Sequence, residues 1–132
     1  MKVFVYFNLH KRCFSVKALE GERKGKVIAH KHDVLIYKPR FKVSQAGRQR
    51  VLREQRKNVH AGVVGEWLYS PFDPAAVELI GRSSGAAVTY NPYKYDCFVY
   101  KATEQRVGDD IRVAALHSDG QRATIHVERS MS

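Results

Sequence analysis

The sequence contains no apolar run that approaches the roughly 20 residues of a membrane-spanning helix. Its first residues turn polar at Asn8 and offer no cleavage site of small residues, so we expect a first strand there rather than a signal peptide. Only two cysteines are present, Cys13 and Cys97, and they are far apart with no Cys-x-x-Cys spacing. The two isolated cysteines predict buried free thiols in a reducing compartment, with a lone disulfide as the minor alternative, and the lack of a long apolar run predicts no membrane partner.

The sequence signatures of several enzyme classes are also missing. There is no Walker A loop, no Gly-x-Gly-x-x-Gly dinucleotide motif and no serine-hydrolase elbow. Six histidines occur, but His30 and His32 form a close pair with no second pair of His or Cys at ligand spacing. We therefore expect no metal, no cofactor and no catalytic residue. A metal-free ribonuclease that uses His60 or His126 with a lysine, or a small phosphoesterase, is kept as a minor alternative.

Acidic residues are few relative to basic ones. The chain carries 13 Asp and Glu against 23 Lys and Arg, which gives a net charge of +10 and a pI of about 9.8. A surplus of this size attracts anions and favours phosphate-bearing partners, although a merely solubilising surface would have the same composition. With 132 residues, 44% of them hydrophobic, the chain is expected to form a single domain over residues 1–132.

Apolar and polar residues alternate along much of the chain, which is typical of strands with one buried face. In residues 2–9, Val3 and Val5 lie on one face while Phe4 and Tyr6 point the other way. Similar runs up to Tyr37 predict an antiparallel meander over the first forty residues. Further strands are expected at 87–90, 95–102, 111–116 and 122–128, the last two joined by an Asp119-Gly120 hairpin turn.

Two segments depart from this pattern and predict helices. From Ser44, a good N-cap, the chain is rich in helix formers, so a longer basic helix is expected over about 44–61. Because the segment has few apolar residues, an extended basic arm that a partner orders is the alternative. Asp73, Pro74 and Gly81 have the order of an N-cap, a first helical residue and a helix stop, which predicts a short helix over about 74–80. The predicted fold class is therefore α+β, an antiparallel sheet with these two helices.

Arginine is concentrated in the first of these helices. Its basic residues are Arg48, Arg50, Arg53, Arg56 and Lys57. Because the planar guanidinium can pair two phosphate oxygens at once, such a cluster favours a phosphate ligand over a generic anion. Asn58 and His60 follow as side-chain donors, and Gly62 and Gly65 allow close approach of backbone to a ligand. The alternative is a solvated charged face at an ordinary helix end.

Aromatic residues are concentrated around one proline, in the segment from Thr89 to Asp96, which we call the aromatic turn. It holds Tyr90, Asn91, Tyr93, Lys94 and Tyr95. Aromatic faces stack on bases, an asparagine amide reads the edge of a purine, and a lysine neutralises phosphate. These residues are therefore candidate ligand contacts, unless the tyrosines merely pack on the sheet.

The order of these segments resembles that of small phage proteins that defeat the bacterial Thoeris defence, the first type of Thoeris anti-defence sponge. The similar segments are Lys2–Tyr6, Phe41–Leu52, Lys57–Ala61 and Tyr90–Tyr95. The resemblance implies a non-enzymatic protein that binds a cyclic ADP-ribose isomer, or a related cyclic nucleotide, without cleaving it. It also implies a homo-oligomer with ligand pockets between subunits, acting in the cytoplasm of an infected bacterial host.

The same resemblance assigns roles to particular residues. Arg56 would hold a phosphate and Asn91 the nucleotide, while Arg106 and Arg112 are candidates for a second phosphate contact. The chain departs from the family at Ile80-Gly81-Arg82, where an aromatic residue is expected, so the residue that stacks on the base is not assigned. The main alternative is a nucleic-acid-binding protein whose basic segment follows a phosphate backbone.

Overall fold

The alternating segments form one antiparallel sheet. A computed structural model describes residues 1–67 and 86–129, and in these residues it contains nine strands. They are β1 Lys2–Asn8, β2 Cys13–Ala18, β3 Val27–Lys31, β4 Asp33–Val43, β5 Ala61–Trp67, β6 Ala86–Thr89, β7 Val99–Tyr100, β8 Ile111–Ser118 and β9 Ala123–Arg129. Their order in the sheet is β3-β2-β1-β5-β4-β8-β9-β6-β7.

The predicted alternation of β1 is confirmed. Val3 and Val5 are fully buried, and Val5 lies opposite Val16 of β2 and Val63 of β5. Phe4 and Tyr6 are half-buried on the other face. The period of two thus sorts this strand into an inner, apolar face and an outer face that meets solvent.

The sheet curls so that its inner face encloses the core. The larger of two clusters of buried side chains in the described residues joins both halves of the sheet and includes Val16 of β2, Val88 of β6 and Leu116 of β8. Strands β2 and β8 touch although three strands separate them in the sheet, and the hydroxyl of Ser118 donates to the carbonyl of Arg12 at 2.8 Å. Curling therefore brings the ends of distant strands together.

The expected meander is right for three strands and wrong for the fourth. β1, β2 and β3 pair consecutively, but β4 pairs with β5 and β8 instead of β3. β5 lies between β1 and β4, and its pairing with both strands buries Val63. Local alternation predicts strands, but not which strand a segment pairs with.

The predicted α+β class with a longer helix is wrong, because the described chain is mostly antiparallel sheet. Its helix, α1, covers only Gln45–Glu54 and buries Val51 alone. Ser44 caps the helix as expected, accepting from the Gly47 amide at 3.2 Å. The helix ends at Gln55, which adopts a left-handed conformation with φ 53°. The predicted helix over 74–80 lies outside the described residues.

The helix is short because the chain must return to the sheet. The amide of Ser44 donates to the carbonyl of His60 at 2.7 Å. This bond holds together the two ends of the segment 44–60, which connects β4 to β5. Ten helical residues and a short return fill this gap. Pairing with β4 and β1 thus overrides the helix preference of residues 55–60.

The structure also bears on the two cysteines and on membrane-spanning helices. Cys13 and Cys97 are free thiols, the first buried and the second half-buried. In residues 1–67 and 86–129, no helix is long and apolar enough to span a bilayer.

Candidate functional site

A cleft of about 1030 Å³ opens at one end of the curled sheet, and we call it the end cleft. Its described walls are the end of β1 with the turn after it, the return from α1 into β5, the aromatic turn, and the start of β9. The corresponding lining includes residues 5–10, 57–63 and 88–93 together with Ala123 and Ile125. The two segments that the sequence singled out therefore face a common space.

A hydrogen-bonded histidine connects those two segments. Nδ1 of His60 lies 2.9 Å from the carbonyl oxygen of Asn58, which can only accept, so this nitrogen carries the proton. In the neutral imidazole Nε2 is then the acceptor, and the hydroxyl of Tyr90 donates to it at 2.6 Å. Burial raises the pKa of Tyr90, an effect that the nearby Arg48 charge opposes, so the phenol is held in its neutral, donating form.

The ring of Tyr90 is held by the core. It stacks on Phe98 with 5.1 Å between ring centroids, and Phe98 in turn packs against Phe41 at 5.0 Å. Tyr93, by contrast, is 61% exposed and lies on the cleft wall. Of these two candidate stacking residues, Tyr93 offers the accessible aromatic face.

Asn91 organises the aromatic turn. Its side-chain oxygen accepts from the amide of Tyr93 at 2.9 Å, and its carbonyl accepts from the amides of Lys94 and Tyr95. The side-chain amide nitrogen makes no hydrogen bond within residues 1–67 and 86–129. Asn91 therefore presents a fixed side chain whose NH₂ group is available to a ligand.

Arg48 holds the aromatic turn against α1, a role that the sequence analysis missed. Its Nε donates to the carbonyls of Pro92 at 3.0 Å and Tyr95 at 2.9 Å. Gln45, one turn earlier, donates to the carbonyl of Asp96 at 2.9 Å. Nothing in the sequence distinguishes Arg48 from the other arginines of the helix, because its partners lie more than forty residues away.

The candidate ligand residues fall into two groups. The first group lines the end cleft and comprises Lys57, Asn58, His60, Tyr90, Asn91 and Tyr93. The second group lies outside the lining and comprises Arg56, Lys94 and Arg106. Arg56 is exposed and directly precedes Lys57.

Lys94 and the further candidate Arg112 already have acidic partners. Nζ of Lys94 lies 2.6 Å from Glu104, and this bond raises the pKa of Lys94 and lowers that of Glu104. Arg112 donates to Glu128 at 2.8 Å. A ligand phosphate would have to compete with these carboxylates.

The charges that line the end cleft have one sign. Lys57 is the cationic side chain there, and no carboxylate is among the described lining residues. Such a surface attracts an anion without local repulsion. Within the described part of the chain, no group of three or more His, Cys, Asp or Glu side chains could hold a metal ion.

The two histidines of the catalytic alternative do not share a site. His126 lies opposite Ala115 and Ala87 on the outer face, whereas its neighbour Ile125 lines the cleft from the inner face. Its Nδ1 is buried without a hydrogen-bond partner in the described residues. His60 has both ring nitrogens engaged. His60 and His126 therefore do not act on one site, whereas Lys57 lines the end cleft together with His60.

Comparison with known proteins places these residues in a wider context. The family model described as Mycobacterium phage L5 gene 82 protein matches residues 1–123. The Gene 82 protein of Mycobacterium phage L5 is 41% identical over 111 residues, which cover 79% of this chain and 81% of that protein. No solved structure matches the chain. The matched range includes every candidate ligand residue.

Proposed function

The chain belongs to the Mycobacterium phage L5 gene 82 protein family, and we propose that it is a phage protein that sequesters a cyclic ADP-ribose isomer or a related cyclic nucleotide in the end cleft. Such a protein would block a bacterial immune signal of the Thoeris type in the cytoplasm of the infected host. The relative's name states no ligand, so the ligand class rests on the order of segments and on the chemistry of the cleft.

The observation that carries the proposal is the meeting of two distant segments at one cleft. Residues 57–60 and 90–93 line the same space and are joined by the bond between His60 and Tyr90. The cleft, at about 1030 Å³, has the size of a ligand pocket, which is typically about 300–1,000 Å³. A nucleotide needs a cation for phosphate and a polar group for its base, and the two segments supply one of each.

Each part of the ligand has a matching group in this arrangement. Lys57 supplies charge for the pyrophosphate, and the described residues of the cleft wall include no carboxylate. The Asn91 amide, oriented by the Tyr93 backbone, suits the edge of adenine. The exposed ring of Tyr93 suits its face. Arg56, next to Lys57 but outside the lining, remains a proposed phosphate contact for the part of a ligand that extends beyond the cleft.

A homo-oligomer with pockets between subunits is part of the same proposal. Leu9, Val59 and Tyr93 are 54%, 57% and 61% exposed, and all three lie on the walls of the end cleft. Exposed apolar groups around a pocket favour burial by a second subunit. Light scattering at micromolar concentration tests this, and a monomer would leave the pocket to one chain.

We propose binding without turnover. His60 donates to Asn58 and accepts from Tyr90, so neither nitrogen is available to move a proton of the ligand. A ligand bound by the protein and then released by heating should therefore have its original mass. Recovery of a hydrolysed product would instead support the phosphoesterase alternative.

Calorimetric titration with a cyclic ADP-ribose isomer tests the site. Lys57→Ala should weaken binding about tenfold, the lower end of the effect expected for a charged hydrogen bond, since Lys57 is exposed. Asn91→Asp keeps the oxygen that accepts from Tyr93 but replaces the amide donor, so it should also weaken binding while preserving the turn.

Arg50→Ala is the matched control for these variants. It removes the same unit of charge from an exposed position outside the cleft lining and should leave the affinity unchanged. Equal losses in Arg50→Ala and Lys57→Ala would show a general charge effect, and wild-type affinity in both cleft variants would reject the site.

The alternative partner, a nucleic acid bound along the basic residues of α1, differs in its salt dependence. Arg50, Arg53 and Arg56 are exposed along this segment. Polyanion binding weakens steeply with salt because each neutralised phosphate releases counterions, with a slope of roughly −0.7 per contact for a single strand. A pocketed ligand with two phosphates should respond far less.

A further inference from the structure

We propose that the outer face of β1, with its neighbours β2, β5 and β4, binds single-stranded nucleic acid by stacking bases on Phe4 and Tyr6. We call this surface the aromatic platform, defined by Phe4, Tyr6, Lys17 and Lys42. It is separate from the basic residues of α1 and goes beyond the proposed sequestration of a small nucleotide in the end cleft.

Two aromatic rings lie side by side on this face. The rings of Phe4 and Tyr6 are 5.9 Å apart between centroids with an interplanar angle of 33°, and both side chains are only half-buried. Neither belongs to the core, which takes Val3 and Val5 from the same strand. Exposed rings on a sheet surface are a common support for unpaired bases.

The backbone beneath Phe4 is shaped to receive its ring. A Cβ added at Gly62 would lie 2.6 Å from two atoms of the Phe4 ring. Gly62 is on β5, where its neighbours Val63 and Val64 pair with Val5 and Phe4. The Phe4 ring therefore lies over the glycine, which leaves its opposite side for another partner.

Cations surround the rings on the same face. Lys17 lies opposite Phe4 on β2, and Lys42 lies opposite Gly62 on β4. Lys2 and Arg40 extend this basic surface along β1 and β4, paired with Glu66 and Val64 of β5. Glu66 is the acidic residue of this set, and the N-terminal amino group neutralises it at 3.2 Å.

A shallow hollow of about 560 Å³ joins these groups. Its lining includes Phe4, Tyr6, Lys17 and Lys42 together with the exposed Val27, and no carboxylate is among the described lining residues. A protein partner would not specifically need both aromatic faces and unopposed lysines. A nucleic-acid strand needs both, because its bases stack and its backbone carries one charge per nucleotide.

Fluorescence anisotropy with labelled dT12 and rU12 tests the platform. Wild-type protein should bind at least one of these oligonucleotides at low salt, and the stronger of the two shows whether DNA or RNA is preferred. Phe4→Leu keeps an apolar side chain but removes the aromatic face, and it should weaken binding roughly tenfold, within the range for one stacked base. Tyr6→Leu should act similarly, although Tyr6 also lines the end cleft.

The charges are tested with matched double variants. Lys17→Gln with Lys42→Gln should reduce the slope of log affinity against log salt by about 1.4, two contacts at roughly 0.7 each. Arg50→Gln with Arg53→Gln removes the same charge from exposed positions of α1 and should leave the slope nearly unchanged. Circular dichroism checks that each variant is folded.

Three results would overturn the proposal. The first is no binding of either oligonucleotide by the wild type. The second is wild-type affinity in folded Phe4→Leu. The third is a reduction of the salt slope in Arg50→Gln with Arg53→Gln that equals or exceeds the reduction in Lys17→Gln with Lys42→Gln. That result would assign nucleic-acid binding to α1 instead.

Discussion

Replacing Arg48 with alanine should release the aromatic turn from α1 and destabilise the whole protein. The Nε–H group of Arg48 is shared between the carbonyls of Pro92 and Tyr95, at 3.0 and 2.9 Å. Because one N–H serves both acceptors, it counts as a single charged hydrogen bond, and such bonds are worth about 1.5–3 kcal/mol. Arg48 is only half-buried, so water can partly replace it and we expect the lower end, about 1.5 kcal/mol.

Urea unfolding followed by circular dichroism measures this loss. With a slope of about 1–3 kcal/mol per molar urea, a loss of about 1.5 kcal/mol lowers the midpoint by roughly 0.5–1.5 M. The matched control is Arg50→Ala, which removes the same side chain from an exposed position of α1, so helix propensity and net charge change equally. Its midpoint should stay close to that of the wild type.

The Arg48 variant should also bind the small nucleotide more weakly, since Asn91 and Tyr93 lie in the turn that it releases. The reasoning is refuted if Arg48→Ala and Arg50→Ala unfold at the same urea concentration. In that case the two carbonyl contacts would contribute nothing, and the turn would be held by its other contacts, among them the bond between His60 and Tyr90 and the bond from Gln45 to Asp96.

Two further predictions concern the sheet and the cleft. Gly65→Ala should lower the unfolding free energy by about 1–3 kcal/mol through overpacking, because the added Cβ would lie 2.3 Å from Ile36 Cγ2. Gly108→Ala is the control, since a Cβ there meets only a side-chain oxygen at 3.4 Å. Its melting temperature should equal that of the wild type. Burial raises the pKa of Tyr90, so its contribution to stability is fully present below the ordinary value of about 10 and is lost as the pH rises through the folded-state pKa. The urea midpoint should therefore fall less between pH 9 and pH 11 for Tyr90→Phe than for the wild type. The exposed Tyr93→Phe is the control and should behave like the wild type. An equal fall in all three proteins would contradict this reasoning.

Local sequence patterns predicted individual elements well where a strand or turn is decided by near neighbours. The alternation of Val3 and Val5 with Phe4 and Tyr6 correctly assigned the two faces of β1. Asp119-Gly120 correctly marked the hairpin between β8 and β9, where Gly120 has φ 89° and Asp119 accepts from two backbone amides. Each of these features involves residues close in sequence, so the pattern carries the necessary information.

Helix length and strand pairing were not accessible in this way. Residues 55–60 favour a helix, yet Gln55 ends it because the chain must bring His60 back to Ser44 and begin β5. Insertion of β5 between β1 and β4 likewise depends on burying Val63 against partners far away in sequence. Such choices follow from the free energy of the whole sheet, in which tertiary burial outweighs local propensity.

The sequence by itself therefore determined the strongly basic charge, the strand-rich character and the two segments that meet at the end cleft. Only the tertiary structure decided the positions of the individual residues. Arg48 binds the carbonyls of the aromatic turn, Lys57 and Asn91 line the end cleft, and Arg56 lies outside its lining. The physical reason is that arginines in a row are chemically alike, and their roles differ through the partner that curling of the sheet brings to each. For Arg48 those partners are carbonyls 44 and 47 residues along the chain.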